Sequence, residues 1–260
     1  MALVDKEINW EILSSQLSVA DQDKHRSTIS RLDWNEPKYF WITKNHDFTQ
    51  WESNKSSQAF WLSGPDHCGM TEVSSHIIAA KERAVQPNSS VLYFFCSTAT
   101  TTRGSISTVF AHTLLHQIVR SSSADKAKPI ATTFLKSLLG ENLLRFKGNL
   151  SPSTLVETIL DAPDRELHRA LLEAIKKADI QELLVIIDGI DITAQEEVVF
   201  VQNIYSLVRH TMHTSPKSKA LITSSQNSDL QNTLGRLPYI EYDKERKGLL
   251  IRRLSGLDPS

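Results

Sequence analysis

Apolar and polar positions follow two patterns along this chain. Short, nearly continuous apolar runs bounded by polar clusters fall at 59–63 (Ala-Phe-Trp-Leu-Ser), 91–96 (Val-Leu-Tyr-Phe-Phe-Cys), 183–188 (Leu-Leu-Val-Ile-Ile-Asp) and 220–223 (Ala-Leu-Ile-Thr). Runs this short, without polar alternation, predict strands buried on both faces, as in a parallel sheet covered by helices. A short fifth strand is expected at 238–242. Between the runs, apolar residues recur at three- and four-residue steps, which predicts helices at 70–83, 105–120 and about 195–210. The second carries Val109, Leu114, Leu115, Ile118 and Val119 on its apolar side. Residues 130–178 read as all-helical, broken near Gly148, Pro152 and Pro163. Ahead of all this, Ile8, Ile12, Leu13 and Leu17 trace one amphipathic helix. Strand and helix in alternation specify an α/β fold.

Length and composition sharpen this outline. A chain of 260 residues fits one elaborated domain. The expected organisation is an N-terminal helical arm at 1–33, an α/β domain at 34–245 with a helical insertion at about 125–180, and a tail at 246–260. The charged run Asp243–Lys247, followed by Arg252 and Arg253, reads as a solvated helix face leading into that tail. Lys and Arg total 29 against 30 Asp and Glu, a formal net charge of -1, which removes any global electrostatic case for a nucleic-acid or anionic-membrane partner. Cys68 and Cys96 are too few for a disulfide framework and point to a reducing compartment. The longest apolar runs fall far short of the roughly 20 residues that span a bilayer. The expected location is cytoplasmic. The segment 34–51 holds three of the five tryptophans, Trp34, Trp41 and Trp51, with Tyr39, Phe40 and Phe48. Core packing is the favoured reading of that cluster over the wall of a ligand pocket.

Candidate chemistry concentrates between the first strand and the helix after it. Gly64-Pro65-Asp66-His67-Cys68-Gly69-Met70-Thr71 matches G-x-x-x-x-G-K-[ST] at both glycines and at the threonine, with Met70 in the lysine position. In the intact motif, backbone N–H groups at the helix start cradle phosphates, the lysine reaches the outer phosphates and the hydroxyl binds Mg²⁺. Thr71 keeps the hydroxyl. A second element, Leu184–Asp191, is an apolar strand ending in acids. Asp188 would hold the Mg²⁺ shell and Asp191 would orient an attacking water. Alternatively, Asp191 or Thr193 caps the next helix. His112 and His116 share a helix face at a spacing that suits metal ligands, but ordinary helix histidines are the favoured reading. A metal site from His67, Cys68 and His76 would require folding the loop onto a helix. Cys68 at a helix N-terminus has a dipole favouring its thiolate, opposed by Asp66, and the loop's role as a phosphate cradle explains its place better.

Taken in order, Phe60–Gly64, Tyr93–Cys96, Thr102-Arg103-Gly104 before Leu114–Gln117, Leu184–Asp191 and Leu221–Ser224 resemble the NACHT-type P-loop domains of the STAND class. The likeness is greatest to the nephrocystin-like N-terminal NTPase domain of fungal NLR-like proteins. It extends over roughly residues 25–245, including the aromatic stretch Trp41–Trp51 ahead of the loop. This resemblance implies a three-layer P-loop NTPase fold. It also implies a switch that couples ATP or GTP, with Mg²⁺, to self-association or other protein contacts. The chain departs from the family pattern at Met70, at His67 where a glycine is usual, at Asp66 with its negative charge, and at Ser225 where an arginine commonly follows the fourth strand. Pro65 withholds an N–H. The expectation is therefore a degenerate pseudo-NTPase that acts as a protein-interaction or regulatory module. Gly64 through Thr71 would mark a nucleotide site of weak or lost affinity, with Asp191 a vestigial catalytic position and Thr71 and Asp188 metal ligands only if nucleotide binds. The competing expectation is an active hydrolase in which Lys44, Lys55, Arg103 or protonated His67 replaces the lysine. A third is a structural module whose cradle is filled by His67 or Met70.

Overall fold

The computed structural model describes residues 22, 27, 42, 44–54, 58–65, 68–84, 88–96, 105–140, 152–190, 200–204, 206–207, 217–225, 239–243 and 248–252. They fall into two compact units, one formed by 1–24 with 98–180 and the other by 25–97 with 181–260.

The second unit is built on one sheet. Its strands are β1 (Gln58–Gly64), β2 (Ser89–Phe95), β3 (Glu182–Ile190), β4 (Lys217–Ser225), β5 (Tyr239–Asp243) and β6 (Gly248–Arg252), in the order β2-β3-β4-β1-β5-β6. The first five run parallel, and β6 returns antiparallel to β5. Alternation along each strand sends side chains to opposite faces. Phe60, Leu62, Tyr93, Phe95, Leu184, Ile186 and Leu221 form one buried cluster with Phe48 and Trp51 of α1 (His46–Ser53) and Val73, Ile77 and Ile78 of α2 (Met70–Arg83). Their neighbours Trp61, Leu92, Phe94, Val185, Ile187, Ala220 and Ile222 are equally buried on the other face. There Phe94 meets the ring of Phe200, which lies in a helical stretch. Helices thus cover both faces, giving the three-layer α/β arrangement expected from the unalternated runs.

The aromatic segment packs as core where it is described. Phe48, Trp51 and Phe60 form a triangle with centroids 5.5–5.9 Å apart. Asn45 starts α1 by accepting the Phe48 N–H at 2.9 Å, which holds the helix against β1. Trp34, Tyr39, Phe40 and Trp41, and the arm at 1–33 apart from Gln22 and Ser27, lie outside the described residues.

The other unit is helical where described: α3 (Ile106–Ser121), α4 (Ala124–Leu139), α5 (Pro152–Leu160) and α6 (Asp164–Ala178). Ser105 caps α3 by accepting the Thr108 N–H, and Ser107 Oγ donates to Asp164 Oδ2 at 2.7 Å, joining the N-termini of α3 and α6. Leu114, Leu115, Ile118, Ile130, Phe134, Leu167 and Leu171 form its buried apolar set. The helical unit therefore begins before the insertion expected at 125, because α3 belongs to it. At the two described positions of the C-terminal charged run the helix expectation does not hold: Asp243 ends β5 and Arg252 ends β6, which form a strand pair, while residues 244–247 and Arg253 lie outside the described residues. Among the described residues no helix is long and apolar enough to cross a membrane.

Candidate functional site

The C-terminal end of β1 leads into the glycine-flanked loop. Gly64 pairs with Ser225, so the loop leaves the sheet directly beside the end of β4. The Cys68 N–H donates to the Pro65 carbonyl at 3.3 Å, turning the chain back, and Gly69 then takes φ 91, ψ 20. That left-handed conformation favours glycine and sets the direction in which α2 starts. Gly69 has no side chain with which to cap α2, and the helix's first bond is Val73 N–H to Gly69 O at 3.0 Å. The N–H groups of the first turn have no intrahelical acceptor, so the helix presents donors and a positive dipole end toward the loop.

Beside this helix end lies a cavity of about 400 Å³. Pro65, Cys68 and Gly69 form one wall, Met70, Thr71 and Glu72 a second, and Gly64, Gly189, Thr223, Ser224 and Ser225 the strand-end floor. Among these lining residues there is no lysine or arginine, and Glu72 adds a carboxylate. Met70 lines the cavity while packing against the core cluster beneath α2. It leaves the cavity open, which counts against the cradle being filled by this side chain. Lys44 is exposed ahead of α1 and does not line the cavity. Asp66, His67, Lys55, Arg103 and Asp191 lie outside the described residues.

Asp188 is only 2% exposed. Its Oδ1 accepts from Ser74 Oγ at 2.6 Å and Thr223 Oγ1 at 2.7 Å, while Thr223 Oγ1 also accepts the Gly189 N–H at 2.9 Å. The carboxylate thereby ties α2 to the ends of β3 and β4, behind the cavity floor. The strand is bent here: the β3–β4 register shifts between Ile187 and Ile190, and Gly189 takes φ 73. A bulge of this kind re-aims side chains at a sheet end. Nearby, Trp61 Nε1 donates to Ser224 Oγ at 2.9 Å, and that hydroxyl donates to the Ser225 carbonyl.

Of the sequence-derived candidates, the structure gathers Gly64, Pro65, Cys68, Gly69, Met70 and Thr71 around one cavity and sets Asp188 just behind it. Ser74 and Thr223 are partners that the motif reading missed. Ser74 stands three residues after Thr71, on the same helix face, so the spacing carried a signal. Elsewhere, His112 is buried in α3 with its ring edge-on to Phe134 at 6.2 Å, and burial pushes its pKa down to about 3. His76, on α2, is shifted down by burial and by Arg83, with Glu52 opposing. Among the described residues no three His, Cys, Asp or Glu side chains come together as a metal site.

A strand, a glycine-flanked loop, a helix and a buried acid on the strand next but one, β3, are thus in place. The model of the family described as Nephrocystin 3, N-terminal, matches residues 39–225, well over half of the chain. The chain belongs to this nephrocystin 3 N-terminal family. No curated protein matches it. The family segment ends on Ser225, the last residue of β4, so β5 and β6 lie beyond the matched stretch.

Proposed function

We propose that this nephrocystin 3 N-terminal domain is a degenerate NACHT-like P-loop module of the STAND class, acting through protein contacts or self-association, with nucleotide binding weak or lost. The observation that carries this reading is the cavity at the start of α2, whose described lining holds no cation to meet a phosphate. Phosphate recognition draws most of its strength from charge-assisted hydrogen bonds, and hydrolysis also needs positive charge where negative charge develops on the outer phosphate. Backbone donors and the dipole of α2 alone supply a fraction of this, and Glu72 opposes it. Asp188, the expected Mg²⁺-side acid, has two protein hydroxyls on one oxygen. The residues present therefore fit Mg²⁺–nucleotide poorly, and the fold is retained as a scaffold. A cytoplasmic setting suits such a module.

Thermal denaturation with ATP, GTP, ADP and GDP, with and without Mg²⁺, tests this directly. A ligand at one hundred times its Kd stabilises the native state by about 2.7 kcal/mol, a shift readily seen. The expected outcome is no saturable shift that Thr71→Ala abolishes, and no turnover of either triphosphate. Saturable stabilisation lost in Thr71→Ala, with Mg²⁺-dependent turnover, would show instead that a basic group from elsewhere serves the loop.

A further inference from the structure

At the opposite end of the sheet from the loop, the starts of β2, β3 and β4 and the C-terminal ends of α1 and α2 enclose a second cavity of about 380 Å³. It falls in the size range of small-molecule sites. Among the described residues, three lysines line it, Lys81, Lys217 and Lys219, with Glu52 and Glu182. Two of the lysines are paired: Lys81 with Glu52 at 3.0 Å, and Lys217 with Glu182. Lys219 is different. Its Nζ donates to the Trp51 carbonyl at 2.9 Å and the Glu52 carbonyl at 2.6 Å and lies 5.5 Å from the Trp51 ring centroid. Among the described residues it has no carboxylate within ion-pair distance, and these two bonds use two of its three donors. Partial burial and the neighbouring Lys81 charge lower its pKa, while Glu52 and Glu182 act in the opposite direction.

We propose that this cavity is a site for a small oxyanion, a phosphate or carboxylate group, held by Lys219 and Lys81. An ammonium fixed on two carbonyls, with one donor unused and a second ammonium close by, is arranged in advance for an acceptor. The last-turn carbonyls of α1 take up part of the Lys219 charge, and both glutamates are already engaged with their own lysines. Among the described residues, the lining side chains therefore leave one positive charge unmatched by a carboxylate. An entering oxyanion supplies that match, takes the remaining donor and relieves the repulsion between Lys81 and Lys219. Cations, missing from the described lining of the loop cavity, are thus found at the opposite end of the same sheet.

The test is calorimetric titration of the full chain with inorganic phosphate and, separately, with malonate, at ionic strength held constant with chloride. The expected result is saturable binding of one or both, weakened about tenfold or more by Lys219→Met and by Lys81→Gln, and unchanged by Lys136→Gln on the surface of the helical unit. Preference for phosphate marks a phosphoryl ligand, and preference for malonate a carboxylate one. At a pH where Lys219 is partly neutral, binding should take up protons, and this uptake should vanish in Lys219→Met. Should that variant fail to fold, Lys81→Gln still decides, since the Lys81 side chain is 37% exposed. Absence of saturable binding by either anion, binding that survives the lysine substitutions, or equal weakening by Lys136→Gln would overturn the proposal.

Discussion

His112 sits fully buried in α3, and its Nε2 has no hydrogen-bond partner among the described residues. Burial holds its pKa at about 3, against 6.5 in the unfolded chain, so the unfolded state takes up the proton first as pH falls. The native state is therefore at full strength above pH 6.5 and loses stability as pH falls toward the folded pKa, by at most about 1.4 kcal/mol per pH unit. Between neutral pH and pH 5 this one side chain should cost about 2 kcal/mol. Urea unfolding at both pH values should show that loss in the native protein and not in His112→Leu, which fills the site without a titrating group. Equal pH dependence in the two proteins would refute the assignment. Asp188 raises a different issue at the same scale. Removing its carboxylate leaves the Ser74 and Thr223 hydroxyls facing a buried gap, and charge-assisted bonds of this kind are worth about 1.5–3 kcal/mol each. Asp188→Ala should lower the urea midpoint strongly, with Asp188→Asn milder because an amide still accepts. Any effect of Asp188→Ala on ligand binding has to be read against that loss of stability.

The bulged end of β3 shows how an element is shaped by one residue. Gly189 takes φ 73, and a methyl group there would meet nothing within 4 Å among the described residues, so the cost expected of Gly189→Ala is one of backbone conformation. About 1–2 kcal/mol is expected from the left-handed geometry. If the denaturation midpoint does not move, the bulge is relaxing without strain. This element also marks how far the sequence was legible. The apolar run and its terminal acid are plain in Leu183–Asp188, as is the helix at 70–83, because burial on both faces and the three-four periodicity each leave a direct trace. The partner that holds Asp188 from β4 was not legible, because Thr223 lies 35 residues away and reaches the acid only through strand order. The β6 strand was misread for another reason. Five residues, Gly-Leu-Leu-Ile-Arg, next to a charged run cannot separate a period of 2 from one of 3.6. The absence of a charge at Met70 is plain in the sequence, but only packing shows the side chain lying on the core and leaving the cavity open.

Strand order governs the molecule as a whole. β4 comes after β1, β2 and β3 in the chain yet lies between β3 and β1, so it joins the strand that carries the loop to the strand that carries Asp188. Without it, β1 loses seven parallel pairings, from Gln58 with Lys219 to Gly64 with Ser225, and β2 and β3 are left on the far side of the gap. The helical unit draws its contacts from α3, α4 and α6, whereas the α/β unit must wait for residues 217–225 before its central pairing exists. Non-local pairing of this kind is entropically costly and forms late. Two truncations separate the roles of the C-terminal strands. A chain ending at residue 236 lacks β5 and β6 but retains the β2-β3-β4-β1 order, and should unfold cooperatively at a reduced urea midpoint. A chain ending at residue 216 lacks β4 as well and should show no cooperative transition of the α/β unit. Trp61 reports the difference, because it is wholly buried and its indole N–H bonds to Ser224 of β4. In the shorter chain its emission should shift to the red and its near-ultraviolet dichroism should disappear, while the longer truncation keeps both signals. Native-like tryptophan signals in the chain ending at 216 would mean that β1 finds another partner, and that β4 is not what unites the loop with the acid.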